Sequence, residues 1–252
     1  MSTLPADYWT TLPLGSEVQL LTRDENGLAA FDKPAGVLSH PNEPKDEPRA
    51  LLTCHYDAAG EFFSWRDAAN VEQRLYLLNR LDSATSGVIL TAASKGLAEA
   101  IKLQFAKKQV KKVYNTLVFG KPAVRMQVWR DMLATQRKGG MVRTSTMGNV
   151  PSVTQMQFIK STMGTFTTSL LRLEPTTGRS HQLRVQCAKR HLPIVGDQNY
   201  GNFGLNRTFA KATQNKRLFL HSLDTSFSYD FGGRTFSFKA HAPLPRDFST
   251  AH

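Results

Sequence analysis

The stretch LYLLNRLDSATSGVILTA, residues 75–92, decides how the chain reads. Two apolar runs, residues 75–78 and 88–90, are short and bounded by turn residues, the pattern of buried strands. Between them a compact polar turn places Arg80, Asp82, Ser83, Thr85 and Ser86 at a strand end and closes on Gly87, which reaches backbone conformations barred to other residues. A carboxylate is thereby set on rigid supports beside hydroxyls. A lone Asp-Ser pair in a turn usually does no more than hydrogen-bond its own backbone. Any chemical role must therefore be carried by the wording of the whole turn and by motifs elsewhere.

Composition narrows the partner. The 252 residues hold 32 Lys and Arg against 20 Asp and Glu, a formal charge of +12. Such a surplus favours a polyanion by long-range attraction, with nucleic acid the leading candidate over anionic lipid, because no basic amphipathic helix with a bulky apolar face is present. At 40% hydrophobic and 21% charged residues, the chain reads as a soluble globular protein. No apolar run approaches the roughly 18 residues of a membrane span. Residues 1–11 lack the basic start and apolar core of a signal peptide, so a cytoplasmic location is expected. Cys54 and Cys187 have neither metal-ligand spacing nor a disulfide framework and read as reduced core residues. Neither a P-loop nor a G-x-G-x-x-G is present to hold a nucleotide cofactor.

Working outward from the turn, residues 18–21 and 28–31 read as strands meeting at Asp24-Glu25-Asn26-Gly27. Residues 1–15 form a short tail over the domain edge. FDKPAG, residues 31–36, is a rigid bend in which Lys33 either faces a site or phosphate or is solvated beside Asp32. Residues 41–49, with three prolines, read as a loop, and 50–56 as helix or strand. Downstream, Ser94 caps a helix to about Lys108 whose Leu97, Ile101 and Phe105 share one face. Of the lysines at its end, two suit the negative helix terminus. Lys107, Lys108 and Lys111 are assigned to nucleic-acid backbone.

Residues 110–119 follow as a strand with Lys112 and Tyr114 on one face, and 125–133 as another. Residues 136–149, with Arg137, Lys138, Arg143 and no apolar period, read as a flexible basic loop that orders only on a nucleic-acid partner. Residues 153–159 and 166–173 alternate as a strand pair. Residues 178–191 begin as a loop and enter a helix near Gln182, and Asp197 fixes the turn GDQNYG, residues 196–201. Residues 217–223 and 235–240 are the last strands, and PLP at 243–245 ends the fold. With no repeat or linker, one domain is expected.

The motif RLDSATSG closely resembles the catalytic loop of the RluA-type RNA pseudouridine synthases, Arg-Leu-Asp-x-x-Thr-Ser-Gly. FDKPAG, the Lys112-x-Tyr114 pair, GRSHQLRV at 178–185, GDQNYG and RLFLHS at 217–222 follow in the family's order. The resemblance spans roughly residues 31–245. One departure is Asn79, where the family usually has His, which alters a supporting hydrogen bond. The resemblance implies an α+β fold, pseudouridine-synthase-like, with a mixed, mainly antiparallel sheet and flanking helices and loops around a central catalytic cleft. Residues 1–30 then belong with the catalytic domain of residues 31–252. No S4-like RNA-binding module precedes it, so the catalytic domain supplies the RNA contacts.

The implied activity is isomerisation of a specific uridine in ribosomal or transfer RNA by a monomer without cofactor or metal. The family comparison selects Asp82 as the catalytic carboxylate, Arg184 as its guanidinium partner, and Tyr114 as the residue bordering the uracil. Arg80, Thr85, Ser86, Lys112, Arg179 and Leu183 are the expected substrate contacts, while His181 is a positioning group. The chemistry suits these types: a carboxylate can capture an electron-poor anomeric carbon, and an arginine keeps it ionised and aimed. The base must leave its stack to reach them. Two rivals are a noncatalytic RNA-binding domain and a glycoside hydrolase pairing Asp82 with Glu174.

Overall fold

A computed structural model describes residues 4–5, 7–138 and 141–250. The chain forms two compact units, Met1–Val110 with Asp224–Ala242, and Lys111–Leu223 with Pro243–His252.

The first unit opens with β1 (Gln19–Arg23) and β2 (Leu28–Lys33), an antiparallel pair. The Asp24 carboxylate accepts from the Asn26 and Leu28 N–H groups and closes the expected turn between them. A 3-10 helix (Pro44–Arg49) occupies the expected loop, because Pro44 pre-sets the helical backbone angle at its first turn. Residues 50–54 are irregular, and β3 (His55–Asp57) pairs with β4 (Phe62–Arg66), which pairs with β5 (Glu72–Leu77). The strand β6 (Ser86–Ala92) runs antiparallel to β2 and, at its far end, to β5. Every residue of β6 is buried, which is why its sequence shows an unbroken apolar run rather than alternation.

α1 (Lys95–Ala106) starts at Ser94, whose hydroxyl accepts from the Leu97 N–H. Leu97, Ala98 and Ile101 close the core over Leu28 and Ala30 of β2 and Val88, Leu90 and Ala92 of β6. The tail is tied down at Tyr8, which is buried and donates to the Arg74 carbonyl at 2.5 Å.

In the second unit, β7 (Lys111–Phe119), β8 (Met126–Lys138), β9 (Met141–Thr162) and β10 (Thr168–Pro175) pair antiparallel in the order β7-β10-β9-β8. Here one expectation fails. Residues 136–149 are not a basic loop; β8 and β9 form one long hairpin whose ladder continues from Ala134↔Ser145 to Lys138↔Met141 after a register shift at Leu133. Gly148 sits at that shift, where an added Cβ would stand 2.2 Å from the Ala134 nitrogen. Gly139 and Gly140, which were read as part of the loop, lie outside the described residues, as do residues 1–3 and 6 of the tail.

α2 (Gln182–Lys189) and α3 (Phe203–Thr213) follow, α3 being capped by Asn202 and buried through Asn206 and Phe209. The long strand β11 (Leu220–Phe231) contributes residues to both units and pairs in the first with β12 (Arg234–His241). PLP does not end the fold: α4 (Asp247–Thr250) follows it and buries Phe248 against Phe219. The architecture is α+β with mainly antiparallel pairing, as expected. No described helix is long and apolar enough to cross a membrane.

Candidate active site

The loop joining β5 to β6 is pinned almost wholly through its backbone. Ser39, itself buried, donates to the Leu81 carbonyl at 2.7 Å and accepts from the Leu81 N–H at 2.9 Å, so the residue before Asp82 is held from both sides. The Asp82 carbonyl accepts from the Thr85 N–H at 2.9 Å, and the Ser83 carbonyl from the Gly36 N–H at 2.8 Å. Gly36 supplies that bond from a backbone φ of +95°.

Lys33 is fully buried, and neither alternative of the sequence reading describes it. Its ammonium donates to the carbonyls of Pro34, Val37 and Ser83 at 2.9, 2.7 and 3.1 Å, stitching FDKPAG to the Asp82 loop. Asn79, the departure from the family pattern, accepts from the Leu90 N–H at 2.8 Å and so ties the start of the loop to β6. On this frame Asp82 is half-buried, Arg80 exposed, and Thr85 and Ser86 only 3% exposed.

In the second unit the expected site residues lie on β7 and around the start of α2. Lys112 and Tyr114 are both half-buried, two apart on β7, with Tyr114 opposite Leu173 of β10. The Lys112 ammonium lies 3.4 Å from where a Cβ on Gly178 would stand, beneath the loop that carries exposed Arg179, and burial pushes its pKa down. Leu183 is buried on α2.

Arg184 is buried too, and its Nε and Nη2 each donate to Asp197 at 2.8 Å. Burial works to raise the Asp197 pKa, but the Arg184 hydrogen bond and charge, with the N–H groups of Asn199 and Tyr200, hold it below the ordinary carboxylate value. The guanidinium also lies over the Tyr200 ring, 5.1 Å from its centre. The Tyr200 hydroxyl accepts from the Thr144 N–H and bonds His181 Nδ1 at 2.8 Å.

Behind Arg184, the far end of α2 is anchored to β8. Buried Asp131 accepts from Gln186 at 2.8 Å, Lys189 at 2.7 Å and Arg190 at 2.9 Å. The sequence reading missed three of these supports: Ser39, the carbonyl cage of Lys33, and Asp197 as a partner of Arg184. Asp197 and Lys33 left a signal, since they stand in GDQNYG and FDKPAG, whereas Ser39 left none.

Of the residues assigned to RNA backbone, Lys107 and Lys108 are exposed at the end of α1, whereas Lys111 bridges to Glu174 at 3.3 Å. Glu174 is also bonded by Arg172 at 2.7 Å. Despite partial burial, those two cations keep its pKa low, so Glu174 is ionised at neutral pH and unsuited to be the proton-donating acid of a glycosidase. Among the described residues no group of three or more His, Cys, Asp or Glu could hold a metal ion.

Comparison with known proteins gives one answer. Residues 27–189 match the family model described as RNA pseudouridylate synthase. A protein named tRNA pseudouridine synthase C from Haemophilus ducreyi is 31% identical over 223 residues, 84% of this chain and 86% of its own. Its namesake from Pasteurella multocida is 32% identical, covering 80% and 82%. Among solved structures, Human RNA Pseudouridylate Synthase Domain Containing 1 superposes with a TM-score of 0.67 at 20% identity, over 93% of this chain and 87% of that one. Human RNA Pseudouridylate Synthase Domain Containing 4 gives 0.65 at 22%, over 92% and 91%. These two likenesses show the fold.

Proposed function

Because this chain belongs to the RNA pseudouridylate synthase family, whose members are isomerases that turn uridine into pseudouridine in RNA, we propose that its substrate is a specific uridine of transfer or ribosomal RNA and that Asp82 is the catalytic carboxylate. Transfer RNA is favoured by the printed names of the similar curated proteins. The observation that carries the role of Asp82 is its setting. It stands half-buried at the tip of a loop whose neighbours on either side are locked through main-chain bonds to Ser39, Gly36 and Lys33. A carboxylate so held loses little orientational freedom on reaching the transition state.

The reaction breaks the bond from C1′ to N1 and forms one from C1′ to C5, with the same atoms in product and substrate. Asp82, ionised, stabilises or captures the electron-poor centre while the uracil turns, and the covalent route would divide one hard step in two. Arg184 is the proposed counter-charge. Asp197 accepts from its Nε and Nη2 and so fixes the direction in which the guanidinium points. Tyr114 is assigned to border the uracil, and Arg80, Thr85, Ser86, Lys112, Arg179 and Leu183 to shape or contact the substrate. Lys107, Lys108 and Lys111 are assigned to backbone phosphates.

Asp82→Asn tests the assignment because it removes charge without changing size. Pseudouridine formation, read by mapping product in RNA, falls by several orders of magnitude while RNA affinity stays within a few-fold. A variant that keeps its product yield refutes the role.

A further inference from the structure

Beside the Asp82 loop, the first unit carries a pair of rings outside its hydrophobic core. His40 and Tyr56 stack face to face, their centres 4.7 Å apart and their planes 12° from parallel. Tyr56 lies on β3, the terminal strand of its sheet, and rests on the fully buried Phe63 with ring centres 4.8 Å apart. The pair is thus anchored from within, yet both rings stay half-buried and reachable.

Each ring keeps one polar atom for a ligand. His40 Nδ1 lies 2.9 Å from the Pro41 carbonyl, so in the neutral ring that nitrogen bears the proton and Nε2 is left as an acceptor. The Tyr56 hydroxyl makes no hydrogen bond among the described residues. Burial, reinforced by Glu61, pushes its pKa up to about 12 against the opposing charge of Arg80, so it is a donor at neutral pH and stands within the field of Arg80. Arg80 is exposed and has neither ion pair nor hydrogen bond among the described residues. Glu61, whose charge acts on Tyr56, is partly met elsewhere, since it accepts from Lys102 at 2.6 Å.

A π-face, one free donor, one free acceptor and an unpaired guanidinium are what an unstacked nucleotide needs: a surface to stack on, edges to bond, and a charge for its phosphate. We propose that His40 and Tyr56 form a stacking platform for one RNA base flanking the target uridine, with Arg80 meeting the adjoining phosphate. The proposal rests on the pseudouridine synthase reading above and adds a place where neighbouring sequence is felt.

The test uses the full chain and in vitro transcripts of transfer and ribosomal RNA on which it forms pseudouridine at a mapped uridine. The transcript is remade with an abasic residue at each flanking position in turn. For wild type, one such position lowers kcat/KM about tenfold or more. Tyr56→Leu shows a similar loss on intact RNA and no further loss on that abasic RNA, whereas Tyr56→Phe, which keeps the ring and loses only the donor, falls clearly less than Tyr56→Leu.

Should Tyr56→Leu fail to fold, His40→Leu serves in the same cycle, and 5-bromouridine placed at the flanking positions of the wild-type complex is cross-linked by light. Attachment to His40 or Tyr56 supports the platform. Losses that multiply between protein and RNA, a folded Tyr56→Leu with wild-type kcat/KM, or cross-links only elsewhere overturn it. No pseudouridine in any RNA would instead overturn the proposed function and the platform with it.

Discussion

Replacing Asp197 with Asn measures how firmly the guanidinium of α2 is held. The carboxylate accepts from Arg184 Nε and Nη2 at 2.8 Å each and from the N–H groups of Asn199 and Tyr200 at 2.9 and 3.0 Å. The two side chains are 1% and 8% exposed, so the discount due to a solvated pair does not apply. Asn keeps an acceptor for the two amides but turns its own N–H₂ toward the cation. Removing one partner of a buried pair costs about 3–5 kcal/mol. At about 2–4 °C per kcal/mol for a chain of this size, Tm falls by about 6–20 °C.

The assay is thermal unfolding followed by circular dichroism for wild type, Asp197→Asn, Arg184→Met and the double variant. Each single change strands a buried polar group, so the double variant loses less than the sum of the two. The pH dependence carries a sign. Asp197 has a folded pKa below its ordinary 3.8, so its stabilisation is complete above that value and is lost as pH falls through the folded one. The gap between wild type and Asp197→Asn therefore narrows on acidification below about pH 4. A Tm within about 1 °C of wild type at pH 7, additive losses, or a gap that widens in acid would refute the reasoning.

Three further outcomes follow from the site. Ser39→Ala orphans the N–H and carbonyl of Leu81, costs about 1–3 kcal/mol for each group left without water, and lowers kcat more than it raises KM; steady-state kinetics with unchanged kcat would sink this. Gly196→Ala places a Cβ 1.7 Å from the Arg217 carbonyl oxygen and yields little soluble protein, whereas Gly36→Ala, at φ +95° in open space, costs only about 1–2 kcal/mol; equal yields and melting temperatures would contradict both. RNA affinity falls steeply with salt, and Lys107→Glu and Lys108→Glu each flatten the log–log slope by about 1; an unchanged slope removes those lysines from the phosphate contacts.

Much of the frame was legible because local rules and burial agreed. Asp24 to Gly27 is a turn on its own chemistry, Ser94 caps α1 as its position demands, and the start of α2 lies at Gln182 as read. The long β8–β9 hairpin was illegible for a physical reason. Residues 136–149 line no described hydrophobic core, so nothing forces apolar alternation, and the strands are held by the ladder and by β-formers such as Thr144 and Thr146. α3 hid because only Asn206 and Phe209 of its residues are buried, too few to mark a period. In the candidate site, the sequence named the residues but not what holds them. A fully buried lysine contradicts every prior on lysine, and only the fold brings three carbonyls to it.

That lysine has a consequence for how the enzyme can diversify. Its grip falls on main-chain oxygens, which every amino acid possesses, so the side chains at Val37 and Ser83 are uncoupled from the rigidity of the turn they belong to. Ser83, exposed next to Asp82, can be exchanged across lineages to suit different transcripts while the proposed catalytic carboxylate keeps its aim.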